Sequence, residues 1–208
     1  MVTEATLPGP MGSPNPHADD LRLAQAAATR DAAAARELLG RVLDRVRATI
    51  RYVSGDDRDQ DDMVQLALVE ILRSAGAYKG IGALSAWVDR IAVRTALKQL
   101  ARRRRRERVV ALEDGTDAPP PESWAADEEH ARLAMRRRLA HHLGALTAER
   151  RAVVTLRMVH GYGIDDIAEM TGAPRNTVRD RLAHGRRELE RRLTRDPVFR
   201  HWVESGRR

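Results

Sequence analysis

The sequence contains no cysteine, a single phenylalanine (Phe199) and, among 37 basic residues, only two lysines, Lys79 and Lys98. Without cysteine there is no disulfide framework, thiolate zinc site or thiol nucleophile. With aromatics at 3% of 208 residues, any core must be built from Leu, Val, Ile, Ala and Met. β-Sandwiches draw on aromatic and β-branched residues, so this composition favours helices. No stretch approaches the roughly 18 apolar residues of a membrane span. Residues Met1–Asp20 lack the basic n-region and apolar h-region of a signal peptide. A cytoplasmic protein with no membrane segment of its own is expected. The near-exclusive use of Arg fits either GC-rich coding or a need for planar forks that match phosphates and base edges.

Charge is what the sequence has in excess, and it is unevenly spread. The formal net charge of +7 and a pI near 10.7 point to an anionic partner, nucleic acid first. Residues 111–130 hold seven acids, no Lys or Arg, and Pro119, Pro120 and Pro121. The other segments therefore set 37 basic residues against 23 acids and carry +14. Residues 1–19, with Pro8, Pro10, Pro14 and Pro16, read as a disordered leader. The expected organisation is all-α: a leader (1–19), a first small helical domain (20–110), a flexible acidic linker (111–130), a second small helical domain (131–193) and a tail (194–208).

Helical periodicity fills both domains. From Asp20, Leu21, Ala24, Ala28, Ala32, Ala35, Leu38 and Leu39 recur at helical spacing, and Val42, Val46, Ile50 and Val53 follow before Ser54 and Gly55. A helix then runs from the acidic stretch Asp56–Asp62 to Ser74. Ser85 is the expected cap of the next helix, which leads through Trp87, Val88, Ile91, Ala92, Ala96 and Leu100 into the arginine run Arg102–Arg106. In the second domain, Leu133, Met135, Leu139, Leu143 and Leu146 form one series, and Val153, Val154, Leu156 and Val159 another.

The segment Gly163–Leu182 has helix-turn-helix form. Ile164, Ile167 and Ala168 face inward, Gly172 supplies the turn, and Val178 and Leu182 anchor a second helix. On a helical wheel, Val178, Leu182, Gly185 and Leu189 share one face. Asn176, Arg179, Asp180, Ala183, Arg186 and Arg187 lie opposite or on its flanks. Arg pairs with guanine and Asn with adenine in the major groove, which suits this outer face to base reading. Arg175 and Arg181 are placed for phosphates.

Two surfaces of the first domain stand out. After Arg58, Val64, Leu68, Ile71 and Leu72 point inward, and Asp62, Gln65, Leu66, Val69 and Arg73 point outward. The outward set is either a protein-docking face or ordinary scattered surface. Further on, Trp87, Arg90, Arg94, Thr95 and Lys98 precede the arginine run and form a basic platform, unless Trp87 is simply core.

A free-standing helix-turn-helix regulator explains residues 131–193 equally well but leaves these two faces without a role. A metal enzyme fits poorly. A calcium loop counted from Asp57 needs Gly sixth and Glu twelfth, where Asp62 and Leu68 stand. His141 and His142 are adjacent rather than four apart. No catalytic residue, metal or cofactor is expected.

In this order, the pieces resemble a sigma factor of bacterial RNA polymerase, of the two-domain extracytoplasmic-function (ECF) type, over about 35–105 and 131–193. Asp59-Gln-Asp-Asp-Met-Val-Gln is similar to the family's clamp-docking segment. Leu84-Ser-Ala-Trp-Val-Asp-Arg-Ile-Ala with Ala96-Leu97 and the arginine run resembles its promoter-melting helix. Leu146-Thr-Ala-Glu-Arg through Leu189 resembles its minus-thirty-five reader.

The resemblance implies that Asp61, Asp62, Gln65, Leu66 and Val69 dock on core RNA polymerase. It implies that Tyr78, Lys79, Trp87, Arg90, Arg94, Thr95 and Lys98 engage the minus-ten element, with Tyr78 and Trp87 the candidates for stacking on an unpaired base. Arg175, Asn176, Thr177, Arg179, Asp180, Arg181, Arg186 and Arg187 would read the minus-thirty-five element. Core polymerase, promoter DNA and an anti-sigma factor are the implied partners. Leu66, Arg94 and Lys98 depart from the residues common in the family at those positions.

Overall fold

Asp31 divides what reads as one helical series. Its carboxylate accepts the N–H groups of Ala33 (2.8 Å) and Ala34 (3.1 Å), a cap that starts a new helix. Arg30, just before it, sits at φ +67°. The series from Leu21 to Leu39 is thus split between α1 (Ala18–Ala28) and α2 (Ala32–Ser54), and Val42 to Val53 continue α2. The structure is a computed structural model that describes residues 15–55, 58–110 and 128–200. Residues 1–14, 56–57, 111–127 and 201–208 lie outside the described residues. Of the expected leader (1–19), linker (111–130) and tail (194–208), Ala18 and Asp19 belong to α1, the residues from Glu128 onward are helical, and Thr194 and Arg195 close the helix that begins at Arg175, so helix extends into each of the three segments.

The first half continues with α3 (Gln60–Ser74), a 3-10 turn (Ala75–Ala77) and α4 (Leu84–Val110). Ser85 is not the cap of α4. The helix begins one residue earlier, and Ala83 accepts the first N–H groups, from Ala86 at 3.0 Å and Trp87 at 3.3 Å. Leu38, Val46 and Ile50 of α2, Met63, Ala67 and Ile71 of α3, and Val88, Ala92 and Ala96 of α4 are buried together. Each large aliphatic side chain there contributes about 1.5–3 kcal/mol relative to exposure. The alanines let the helices approach closely.

The second half comprises α5 (Glu128–Gly144), α6 (Ala148–Val154), α7 (Ile164–Thr171) and α8 (Arg175–Arg195). Thr147 caps α6, its hydroxyl accepting the Arg150 N–H at 3.5 Å. A π turn over Thr155–Val159 follows α6. It widens the helix and changes the register. Leu156 stays buried, whereas Met158 and Val159 are exposed. Val159 is therefore not core, contrary to the periodicity. Gly172, at φ +69°, makes the left-handed turn between α7 and α8.

The two halves dock on one another. Ala152, Val153, Leu156, Ile167 and Met170 belong to the same buried cluster as the residues of α2 and α4. Gly55 takes φ +70°, and a Cβ there would lie 2.6 Å from Gly144 Cα, so two backbones meet where no side chain fits. Arg151, 5% exposed, donates to the Val53 carbonyl across the junction and to Gly144 O at 2.8 Å.

Candidate nucleic-acid interface

The helix-turn-helix presents the outer face that its sequence pattern predicts. Val178, Gly185 and Leu189 are buried and Leu182 half-buried, whereas Asn176, Arg179, Asp180, Ala183, Arg186 and Arg187 are exposed. Arg181 and Thr177 are half-buried at its edge. Arg179 donates to Asn176 Oδ1 at 3.0 Å, which holds these two exposed side chains against one another. Arg175 pairs with Asp165 at 2.5 Å and ties the start of α8 to α7.

On α3, Asp61, Asp62, Gln65, Leu66 and Val69 lie on one exposed strip. Leu66 and Val69 keep 45% and 44% of their surface in water, an apolar pair beside two carboxylates. The arginine run reaches this strip: Asp62 and Leu66 share a shallow depression with Arg102 and Arg106.

The residues assigned to the minus-ten element are not all presented outward. Lys79 and Lys98 are exposed and Thr95 is half-buried. Tyr78 is 5% exposed, donates to the Gly82 carbonyl at 2.7 Å, and tilts against Trp87 with ring centroids 5.6 Å apart. Burial pushes the Tyr78 hydroxyl up from its ordinary pKa. Tyr78 thus lies beneath the surface as a brace for its loop, which corrects the expectation of a free stacking platform. Ile81, 87% exposed on that loop, is the apolar side chain actually presented, and the pattern reading missed it.

Arg90 and Arg94 are engaged by the second half. Arg90 pairs with Glu169 at 2.7 Å. Arg94 donates from Nε to the Met170 carbonyl at 2.9 Å and from Nη2 to the Glu169 carbonyl at 2.8 Å. Those carbonyls belong to the last turn of α7, where they have no partner within the helix and the helix dipole is negative. Arg94 therefore acts as the C-terminal cap of α7, immediately before the helix-turn-helix glycine.

Beneath this contact lies a polar cluster centred on Asp89, which is fully buried. Asp89 accepts from Arg45 Nε at 3.1 Å and Nη2 at 2.6 Å, from Thr49 Oγ1 at 3.0 Å and from the Tyr162 hydroxyl at 2.7 Å. His160 completes it, with Nε2 3.1 Å from Thr49 Oγ1 and Nδ1 3.5 Å from Arg45 Nη2. Thr49 gives its proton to Asp89, so the neutral Nε2–H tautomer fits both His160 contacts, donating to Thr49 and accepting from Arg45.

Burial, with the Arg45 charge added, lowers the His160 pKa against the pull of Asp89. Burial and the bond to Asp89 push the Tyr162 hydroxyl up to about 12. Sequence reasoning missed all five residues. One signal was available: Asp89 falls on the Ala92–Ala96 face of α4, and a carboxylate on a core face needs partners.

Among the described residues no three His, Asp or Glu side chains converge as a metal site, and no helix is long and apolar enough to cross a membrane. The pattern for Sigma-70 region 2 matches residues 38–106, and that for Sigma-70, region 4 matches 136–189. The chain is 35% identical over 143 residues to the ECF RNA polymerase sigma factor SigM of Mycobacterium tuberculosis, covering 69% of this chain and 68% of that one. It is 30% identical over 170 residues to SigE of Mycolicibacterium smegmatis, covering 82% of this chain and 63% of the relative. In fold it is similar to the sigma factor RpoE solved with the anti-sigma factor NepR from Bartonella quintana (TM-score 0.60, 21% identity, 77% of this chain and 97% of that one).

Proposed function

The chain belongs to the ECF sigma factors of bacterial RNA polymerase, and we propose that it joins core polymerase through α3 and directs it to promoters through α4 and α8. Sigma factors are initiation factors rather than enzymes, and we assign this chain no catalysis of its own. Its place is the cytoplasm, where polymerase and promoter DNA are, and an anti-sigma factor is a fitting regulator. The matches over 38–106 and 136–189 support the division into two domains at 20–110 and 131–193.

The observation that carries this reading is the pairing of two unlike faces on one chain. An exposed helix-turn-helix face rich in Arg and Asn suits DNA. A separate apolar-acidic strip on α3 suits a protein. An independent operator-binding regulator needs only the first. Docking through Asp61, Asp62, Gln65, Leu66 and Val69 would bury Leu66 and Val69 and fix the first domain on the polymerase. The face from Arg175 to Arg187 would then enter the major groove upstream, where each bidentate base pairing is worth about 1–3 kcal/mol of discrimination. The loop with Lys79 and Ile81, and the helix with Trp87, Arg90, Arg94, Thr95 and Lys98, would meet the downstream element, and Tyr78 would hold that loop in shape.

The test is co-elution of the full chain with sigma-free core polymerase on size exclusion. A stable complex, lost in Asp62→Arg/Leu66→Arg, is expected. Absence of a complex with folded protein free of any inhibitor would overturn the reading and leave an independent DNA-binding regulator.

A further inference from the structure

We infer that Ile81 is an apolar wedge for opening promoter DNA and that Asn15, just ahead of α1, is the positioning residue that sets it. This role rests on the assignment of the loop to the downstream promoter element and goes beyond it.

Ile81 keeps 87% of its surface in water, the most exposed of the large apolar side chains among the described residues. The others come as neighbours, Leu66 with Val69 and Met158 with Val159, and offer a partner protein more than one side chain to cover. Ile81 stands between Gly80 and Gly82, with the exposed Lys79 just before Gly80. One branched side chain flanked by glycines fits a slot one side chain wide. The step between two base pairs is such a slot, and apolar residues inserted there unstack and kink the duplex. Lys79 supplies a cation for an adjoining phosphate.

A wedge on a slack loop would yield before the bases did. This loop is held at the glycine carbonyls on both sides of Ile81. Tyr78, buried against Trp87, donates its hydroxyl to the Gly82 carbonyl at 2.7 Å. Asn15 Nδ2 donates to the Gly80 carbonyl at 3.2 Å. Asn15 is itself fixed, because its Oδ1 accepts the His17 N–H at 2.9 Å and its main-chain carbonyl accepts the Ala18 N–H at 3.0 Å. The amide therefore turns its nitrogen, and only its nitrogen, to the loop. Gly80 is buried at φ +65°, and a Cβ there would lie 3.2 Å from both Asn15 Nδ2 and Leu21 Cβ. The loop backbone is thus seated on the start of α1 in a conformation that favours glycine. The N-terminal helix serves the wedge as a backstop.

Transcription by holoenzyme, assembled from the full chain and core polymerase, tests this. Start sites are mapped with the native holoenzyme on total DNA of the bacterium that encodes the chain. One promoter is then used in two forms, fully paired, and with its strands mismatched across the start so that it is already open. Ile81→Ser touches no core packing. It should lower RNA from the paired form about tenfold, a modest share of the cost of unstacking one step, and leave the mismatched form unchanged. Ile81→Leu keeps an apolar side chain and should restore most of the yield. Asn15→Asp keeps the oxygen that accepts from His17 but loses the donor to Gly80. Its yield on the paired form should fall about threefold, the effect of one hydrogen bond, with the Tm of the free chain unchanged. A role confined to starting α1 predicts no such fall.

Native yield from the paired form in Ile81→Ser would overturn the inference. So would an equal loss on both forms, which would make Ile81 a polymerase contact. Full activity of Asn15→Asp beside a defective Ile81→Ser would overturn the positioning role. A native chain that adds no start site to those of core polymerase alone would refute the sigma assignment itself, and the inference with it.

Discussion

Two glycines inside helices offer a matched test of the packing. Gly→Ala in an exposed helix interior ordinarily stabilises by about 0.5–1 kcal/mol, because alanine loses less backbone entropy on folding. Gly40 of α2 is such a site, since nothing lies within 4 Å of a Cβ added there. Gly185 of α8 is the opposite case. A Cβ there would lie 2.8 Å from Val154 Cγ2, 3.3 Å from Leu146 Cδ2 and 3.4 Å from Arg150 Cβ. Val154 is β-branched, on α6, and has little rotamer freedom with which to yield. Overpacking of this kind costs about 1–3 kcal/mol. Against a propensity gain near 1 kcal/mol, Gly185→Ala should lose about 1 kcal/mol net. At this chain length 1 kcal/mol corresponds to about 2–4 °C in Tm. Urea and thermal unfolding followed by helical circular dichroism should show Gly40→Ala rising and Gly185→Ala falling. Equal stabilisation by both would refute the close crossing of α6 and α8 and the docking of the recognition helix that depends on it.

Three further outcomes follow from buried polar groups. His160 has a folded pKa below its unfolded value, so its stabilising effect is complete above pH about 6.5 and is lost as pH falls toward the lowered value. A new proton would face Arg45, with only Asp89 to oppose it, so the Tm should decline below pH about 6.5, read by thermal unfolding across pH, and His160→Gln should remove that part of the dependence. Asp196 is opposed by burial, but hydrogen bonds from Arg138, His142 and the Val198 N–H outweigh it and bring its pKa to about 2 from 3.8. Its contribution of about 2 kcal/mol is present above pH 4 and lost as pH falls from 3.8 through about 2, a step that Asp196→Asn should erase from the acid-unfolding profile. Arg151→Met would strand the Val53 and Gly144 carbonyls and cost about 3 kcal/mol, measured by urea unfolding. A loss below about 0.5 kcal/mol would mean that water replaces the guanidinium there.

The elements with strong periodicity were readable because one physical rule governed each. The bounds of α7, the Gly172 turn, the split of α8 into a Val178–Leu189 face and an arginine face, and the exposure of Leu66 and Val69 all follow from helical spacing and the positive-φ demand of a turn. What escaped was what spacing does not encode. Arg30 and Asp31 break a series whose apolar residues continue in phase on either side, so only the capping carboxylate marks the boundary. The π turn after α6 moves Val159 out of the core, and nothing in the side chains from Thr155 to Val159 announces an added residue per turn. The Asp89 cluster joins residues more than a hundred positions apart, Thr49 to His160, and depends on how two domains dock. Tyr78 is expected from the sequence as a stacking platform, and only its burial and its bond to the Gly82 carbonyl show it to be a brace.

The arrangement of one open face and one covered face bears on where such a molecule spends its time. A chain carrying +14 outside its acidic segment faces roughly 10⁶–10⁹ non-specific sites on a chromosome. If every cation on α4 were free, most copies would sit idle on arbitrary DNA. With Arg90 paired to Glu169 and Arg94 held by the carbonyls of α7, fewer cations of α4 face solvent unpaired, while Leu66 and Val69 remain exposed. Fewer free cations release fewer counterions on random duplex, so pairing within the fold lowers the salt-dependent, sequence-independent part of an attraction to DNA.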